Sequence, residues 1–424
     1  MVNSISTYSL TGADRFQLFF DRAARRNKGN GNVIRASVTV KGVLPESAAL
    51  EILTGSKAVQ MISGLTLKKK WYSPIYRLER EDKIPGWEKL LSFHHGKTQD
   101  EVLRRVLEFD CPLNGGAPLH VDVAYDKDYT TVIFSVNHVL MDYAGMENLL
   151  SSFSEKKELV LNQEVQHRRK SFFRKFAEAV QVTLFVASRS GWNMRRLAGR
   201  KGRCSPAVEK LELTPDETQR AKQYATHEIQ AGELSFFLGC SMLALSRHDK
   251  LLTGERNKFF VAVPLGRRPQ ANRHSLMSNF LSFLFFRAGE SELFSLKEIS
   301  KSLSAQMIYQ AKKGLPEKFS SLQELFKFIP APVYRAFIDL PGKGHSGTFA
   351  FSLPGNSGLE NKLFMGLPVT DVTHYAPVIS PPGLNIVFTE FNGRLKIMLS
   401  FDENRITVKN ARELLHTIRK NLIG

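Results

Sequence analysis

The stretch Thr131-Val-Ile-Phe-Ser-Val-Asn-His138-Val-Leu-Met-Asp142 constrains the fold more than any other part of the chain. Its first six residues carry the apolar pattern of a buried strand, a histidine ends the run, and an aspartate follows where a helical pattern over Ala144–Phe153 begins. Upstream, Leu119–Tyr125 alternates as well. Asp126-Lys-Asp-Tyr129 between the two runs reads as the turn of a β-hairpin. A histidine fixed at the end of a buried strand turns its ring to an open space, which is the geometry a general base needs. An aspartate one helical turn further on is placed to hold local backbone, through an arginine elsewhere in the chain. The four-residue spacing is weak by itself, because a lone histidine is more often a satisfied core residue than a catalyst.

The rest of the chain continues the mixture. Asp14–Asn27 reads as an amphipathic helix, Ile34–Lys41 as a strand stopped by Gly42, and Glu46–Ile62 as one helix carrying Leu50, Ile52 and Leu53. Thr214 before Pro215 reads as a helix N-cap. Leu234–Leu245 reads as a buried helix, and Phe259–Pro264 and Asn279–Phe286 as strands. Asn385–Phe391 and Arg394–Phe401 flank Asn392-Gly393, the strongest short hairpin signal a sequence offers. A helix over Lys409–Leu422 closes the chain. The class is mixed α/β, and 424 residues are too many for one ordinary core.

Composition narrows the function classes. Cys111, Cys204 and Cys240 form no CxxC or Cys/His cluster, so neither a zinc site nor a disulfide framework is expected, and a reducing, cytoplasmic setting fits best. Met1-Val-Asn-Ser-Ile-Ser-Thr shows no basic region followed by an apolar stretch. The longest apolar runs, Leu234–Leu245 and Val180–Ala187, fall short of the roughly 20 residues of a membrane span. The expectation is a soluble or membrane-peripheral protein. A formal charge of +18 attracts phosphate-bearing partners: nucleic acid, anionic lipid, coenzyme A or an acidic carrier protein. No nucleic-acid-binding motif accompanies the charge, which argues against that class.

The charge is concentrated. From Arg168 to Arg203 eleven lysines and arginines face one acid, Glu178, interleaved with Phe172, Phe173, Phe176, Leu184, Phe185, Val186 and Trp192. The segment reads as a crossover between two halves. It is either a solvated basic connector or an amphipathic segment resting on anionic lipid or a carrier protein.

Taken in order, these pieces resemble the superfamily of chloramphenicol acetyltransferase, nonribosomal peptide synthetase condensation domains, BAHD and polyketide-associated acyltransferases, and wax ester synthases. Asn137-His138-Val-Leu-Met-Asp142-Tyr143 is similar to its HHxxxDG signature. Val261-Ala-Val-Pro-Leu-Gly-Arg-Arg268-Pro with Ser278-Asn279-Phe280 resembles its "VPVxLRP … GN" segment, and Thr348-Phe-Ala-Phe-Ser352-Leu-Pro-Gly355 its "SNVPGP" stretch. Pro381-Pro-Gly-Leu-Asn385-Ile through Asp402 resembles its penultimate hairpin.

The resemblance implies two acetyltransferase-like subdomains, over 1–165 and 211–424, joined by the basic segment 166–210, with a tunnel between them and the histidine at its centre. It implies transfer of an acyl group from a coenzyme A or phosphopantetheine carrier-protein thioester to an alcohol or amine, small molecule or lipid. His138 would be general base, and no cofactor or metal would be permanently bound. Asp142 is then structural, with Arg268, before the proline, its candidate partner. Ser352 or the amide of Asn385 is the candidate donor to the oxyanion. Asn137 replaces the first histidine, and Tyr143 the glycine that lets the chain pass closely. A phenol there would narrow the tunnel or bind substrate, while Gly145 is placed to substitute for the lost glycine. These departures leave a second reading open: a non-catalytic module of the same fold that docks an acidic partner or anionic membrane.

Other histidines read differently. His94-His95 has no aspartate four residues on and reads as a surface loop. His374 would make a hydrolase-like site only beside a serine nucleophile, and no G-x-S-x-G elbow is present. Arg273 and His274 read as a phosphate-facing loop or plain solvated surface. Met141 and Met146 read as packing residues, and Phe280–Phe286 as a core strand rather than an acyl-chain wall.

Overall fold

The structure, a computed structural model, describes residues 7–69, 75–81, 85–154, 170–190, 194–200, 202–254, 258–330, 332–333, 336 and 345–424. Arg168, Arg169, Trp192 and Lys201 of the basic segment, and Met1–Ser6, lie outside them.

The first part of the chain runs β1 (Thr7–Ser9), α1 (Gly12–Arg26), β2 (Val33–Lys41), α2 (Glu46–Gly55), α3 (Lys57–Ser63), β3 (Leu65–Lys69), β4 (Tyr76–Arg80), β5 (Leu91–His95), α4 (Gln99–Leu107), β6 (Leu119–Asp126), β7 (Tyr129–Asn137) and α5 (Tyr143–Ser151). The helix expected over 46–62 is two, because the chain breaks at Ser56, whose hydroxyl accepts from the Val59 amide and caps α3. The hairpin ahead of His138 is β6–β7, antiparallel from Leu119 opposite Val136 to Asp126 opposite Tyr129. The second part runs α6 (Phe172–Ser190), β8 (Arg196–Leu197), β9 (Pro206–Glu212), α7 (Pro215–Gln223), α8 (Glu233–Ser246), β10 (Leu252–Thr253), β11 (Phe259–Gly266), β12 (Leu281–Ala288), α9 (Leu296–Lys312), α10 (Leu315–Phe326), β13 (Ala350–Asn356), β14 (Leu363–Phe364), β15 (Leu367–Tyr375), β16 (Leu384–Phe391), β17 (Arg394–Asp402) and α11 (Val408–Ile423). Thr214 caps α7 in a reciprocal box with Glu217, with Pro215 in the first turn. Asn392 and Gly393 both take positive φ between β16 and β17, as a type I′ hairpin requires.

Two sheets carry the architecture. One is six-stranded, in the order β14-β15-β2-β7-β6-β5; the other is four-stranded, β13-β16-β17-β9. The first packs α2 and α3 over a core of Val38, Leu53, Ile62, Val121 and Phe134. The second packs α8 and α11 over Phe237, Phe388, Phe401 and Leu415. α8 is apolar all round and buried along its length, as a central core helix should be.

Strand pairing crosses from one half of the chain to the other. β15 belongs by position to the second half, yet it pairs antiparallel with β2, from Val369 opposite Val40 to Tyr375 opposite Arg35. The first half's sheet is completed by the second half's chain. α6 packs on α10 and β12 through Ala179, Val182, Phe185 and Phe319, forming a third small core.

Candidate active site

His138 is the first residue after β7, and hydrogen bonds fix its backbone on both sides. Its amide donates to the Asn32 carbonyl at 2.8 Å, and its carbonyl accepts from Asn279 Nδ2 at 3.0 Å. The same Asn279 side chain also donates to Val139 O and to the buried Asp14 carboxylate. That carboxylate takes further bonds from Tyr8 and Thr11, so α1 and the start of β12 are tied to the histidine turn. The β12 strand begins at Leu281 rather than Asn279 because Asn279 is spent on this turn. Ser278, beside it, holds φ at +84°, a left-handed conformation that costs a non-glycine residue about 1–2 kcal/mol. A 2.6 Å hydrogen bond with the Tyr8 hydroxyl holds it there.

The ring is oriented by a single bond. His138 Nδ1 lies 2.8 Å from Met141 O. A carbonyl only accepts, so Nδ1 carries the proton and Nε2 keeps its lone pair. Burial lowers the pKa of this imidazole from its ordinary 6.5, against the opposing pull of Met141 O and Asp142.

Asp142 turns away from the ring. It caps α5 by accepting from the Gly145 amide at 3.0 Å, accepts from the Phe280 amide at 2.9 Å, and takes Arg268 Nη2 at 2.5 Å. Arg268 also donates to Asn272 O, Ser275 O and Ser278 O, and its guanidinium lies 4.6 Å from the Phe280 ring centre. Asn137, in place of the first histidine, points into the core. Its Nδ2 donates to Asp21 and Cys111 O, and its Oδ1 accepts from the Val139 amide. Close chain passage occurs at Gly145: a Cβ there would stand 2.6 Å from Leu276 O and 2.7 Å from Met141 Cβ. Met141 and Met146 are buried in the first core.

His138 opens on a cavity of about 810 Å³ between the two sheets. Phe16, Phe20, Phe283, Phe319, Phe326 and Phe351 dominate its wall, and Ser352 and Asn385 line it as well. Asn385 Oδ1 is buried without a hydrogen-bond partner. The expected core strand is therefore two-faced. Leu284 and Phe286 fill the second core, while Leu281, Phe283 and Phe285 line the cavity, as the two-residue period of a strand dictates.

Tyr143 lines the same cavity, its hydroxyl buried and unpartnered, its ring centre 4.4 Å from that of His374. Burial, reinforced by Glu147, pushes this phenol well above its ordinary pKa of 10. His374 Nε2 lies 2.6 Å from Glu147 Oε1. Burial alone would raise the Glu147 carboxyl, but His374, the Gly358 amide and the Ser357 hydroxyl together hold it below the ordinary carboxylate range. Ser357 thus donates to Glu147 rather than facing the imidazole, and no serine–histidine hydrogen bond forms at His374 among the described residues. His94 and His95 are not a surface loop: they end β5, with His94 buried 2.8 Å from Asp122 and His95 exposed beside Tyr125. Arg273 and His274 are exposed.

No family model and no curated protein matches this sequence. Solved structures do. A trichothecene 15-O-acetyltransferase from Fusarium sporotrichioides superposes with a TM-score of 0.75 at 11% identity, over 98% of this chain and 95% of that one. The fold is chloramphenicol acetyltransferase-like. The first condensation domain of the CDA synthetase shares this acetyltransferase-like fold at a TM-score of 0.70 and 15% identity, over 99% and 96% of the two chains. The starter condensation domain of rhizomide synthetase, in complex with C8-CoA and Leu-SNAC, does so at 0.65 and 13%, over 99% and 94%. Within this acetyltransferase-like fold the histidine turn, Arg268, Ser352 and Asn385 converge on one cavity, although they are spread over nearly 250 residues of sequence. Glu147 carries no sequence signal of its own, since its partner His374 lies 227 residues away.

Proposed function

We propose that the protein transfers an acyl group from a coenzyme A or carrier-protein thioester to a hydroxyl or amine acceptor, with His138 as general base. The supporting observation is the orientation of His138: Nδ1–H is committed to Met141 O, so the Nε2 lone pair is left for the cavity. Nε2 takes the acceptor proton as the acceptor oxygen or nitrogen attacks the thioester carbonyl. The new C–O or C–N bond forms, the tetrahedral adduct collapses with C–S cleavage, and the imidazolium returns the proton to the departing thiolate. With both substrates bound together no acyl-enzyme is needed. General-base assistance of this kind is worth about 10² to 10⁴ in rate.

The other residues take supporting roles. Ser352 and the Asn385 amide, which line the same cavity as His138, would donate to the oxyanion, an interaction typically worth about 3–4 kcal/mol. Asp142 and Arg268 are positioning residues, holding the start of α5 and the Phe280 amide against the histidine turn. His374 lines the cavity with its Nε2 bonded to Glu147, and its imidazole suits a hydrogen-bonding group on the acceptor. The two departures from the family signature leave this reading intact. The Asn137 side chain is satisfied within the core, and the glycine at the close approach is Gly145. The rhizomide domain's complex with C8-CoA and Leu-SNAC supports the choice of donor class.

The test is thiol release from acyl-coenzyme A and acyl-carrier donors offered with mixed alcohols and amines. Release that depends on the acceptor, and that disappears in a folded His138→Ala protein, is the expected result. Turnover retained by His138→Ala would overturn the assignment.

A further inference from the structure

α6 has two apolar faces. The inner one is used: Ala179 and Val182 pack on α10 and β12, and Thr183, Val186 and Ala187 line the cavity. The outer one is bare. Phe172, Phe176, Val180 and Leu184 recur every four residues, so they lie along one side of the helix over about 18 Å, with Phe173 beside them. Their exposures are 65%, 56%, 41% and 65%, and that of Phe173 is 84%. Soluble proteins rarely show such a contiguous apolar surface without a use for it.

On α6 itself the outer face carries no acid. The helix's single acid, Glu178, is buried and bonded to Lys170, Arg174 and Ser321, so no carboxylate of α6 reaches the outer face. Tyr309 of α9 stacks on Phe185 at 6.3 Å and, like Ile308, is exposed, and Lys312 and Lys313 follow one turn later, also exposed. The protein as a whole carries +18.

We propose that this face docks the protein on an anionic membrane surface, the phenylalanines entering the headgroup–acyl boundary and the lysines meeting lipid phosphates. Apolar side chains standing proud of a helix suit a deformable apolar medium better than a pre-shaped protein groove, and the net charge of +18, with the exposed Lys312 and Lys313, complements anionic headgroups. Among the described residues no single helix is long and apolar enough to cross a membrane. The docking face takes no part in the chemistry of the cavity, but the helix that forms part of the cavity wall would also rest on the bilayer.

The test is co-sedimentation of the full chain with phosphatidylcholine vesicles, with and without phosphatidylserine, at low and high salt. The wild type should pellet with the phosphatidylserine vesicles and be released by salt. Phe172→Ser/Phe173→Ser/Phe176→Ser should weaken partitioning by about tenfold or more, with an unchanged thermal melt to show that the fold is intact. Leu184→Ser, two turns away, should give a smaller loss. A wild type that stays in the supernatant, or a triple variant that pellets as well as the wild type, overturns the proposal. So does a wild-type dimer that is lost in the triple variant without vesicle binding, which would assign the face to a second copy of the chain.

Discussion

Removing the Asp142 carboxylate should damage stability first and chemistry second. Asp142→Ala deletes the α5 cap, worth about 1 kcal/mol, and leaves the Phe280 amide without its acceptor, about 1–3 kcal/mol more. It also strands Arg268, and breaking a pair this buried costs about 3–5 kcal/mol by itself. These contributions overlap, because all three donors share one carboxylate, so a loss of about 4 kcal/mol is expected rather than their sum. Arg268 would keep its bonds to Asn272 O, Ser275 O and Ser278 O, which limits the damage. Urea denaturation of the wild type, Asp142→Ala, Arg268→Met and the double variant gives the measurement. The double variant should be less destabilised than the two singles added together, with a coupling of about 2 kcal/mol or more. Additive losses, or an Asp142→Ala protein of native stability that has nonetheless lost turnover, would refute the positioning role and move Asp142 into the chemistry.

Two further outcomes follow from the same turn. Because burial depresses the His138 pKa and only the neutral ring can accept a proton, the acid limb of kcat/KM should fall below pH 6.5; a limb at or above 6.5 counts against His138 as the base. Gly145→Ala should cost about 1–3 kcal/mol by overpacking, since the new Cβ meets backbone at Leu276 O and has no flexible neighbour to displace; an unchanged denaturation midpoint would show that the turn is looser than it looks.

Elements with local causes were legible in the sequence. The β16–β17 turn is written in Asn392-Gly393, the start of α7 in Thr214-Pro215, and the histidine turn in an alternating run that stops at His138. Where a local cue was present but overridden by the global pattern, the reading slipped. Apolar spacing runs straight through Gly55 and Ser56, where the backbone turns extended and the Ser56 hydroxyl caps the next helix through the Val59 amide. His94 looked like loop because its partner Asp122 is on the next strand of the sheet. Pairings across long separations were legible only by resemblance, as with Asp142 and Arg268, or not at all, as with Glu147 and His374. A sequence carries no local record of which strand another will meet, and so the pairing of β15 with β2 was not legible in it.

The placement of β15 also sets a schedule for synthesis. β2 meets β7 as soon as residue 137 has emerged, but its other edge waits for residues 367–375, roughly 240 residues later. At about 5–20 residues per second that is on the order of 10–50 s on the ribosome with a nine-residue strand edge open. An edge of this length, rich in valine, is a template for intermolecular pairing. The nascent chain is therefore most exposed to aggregation midway through translation, and the length of that interval is fixed by where in the gene β15 is encoded.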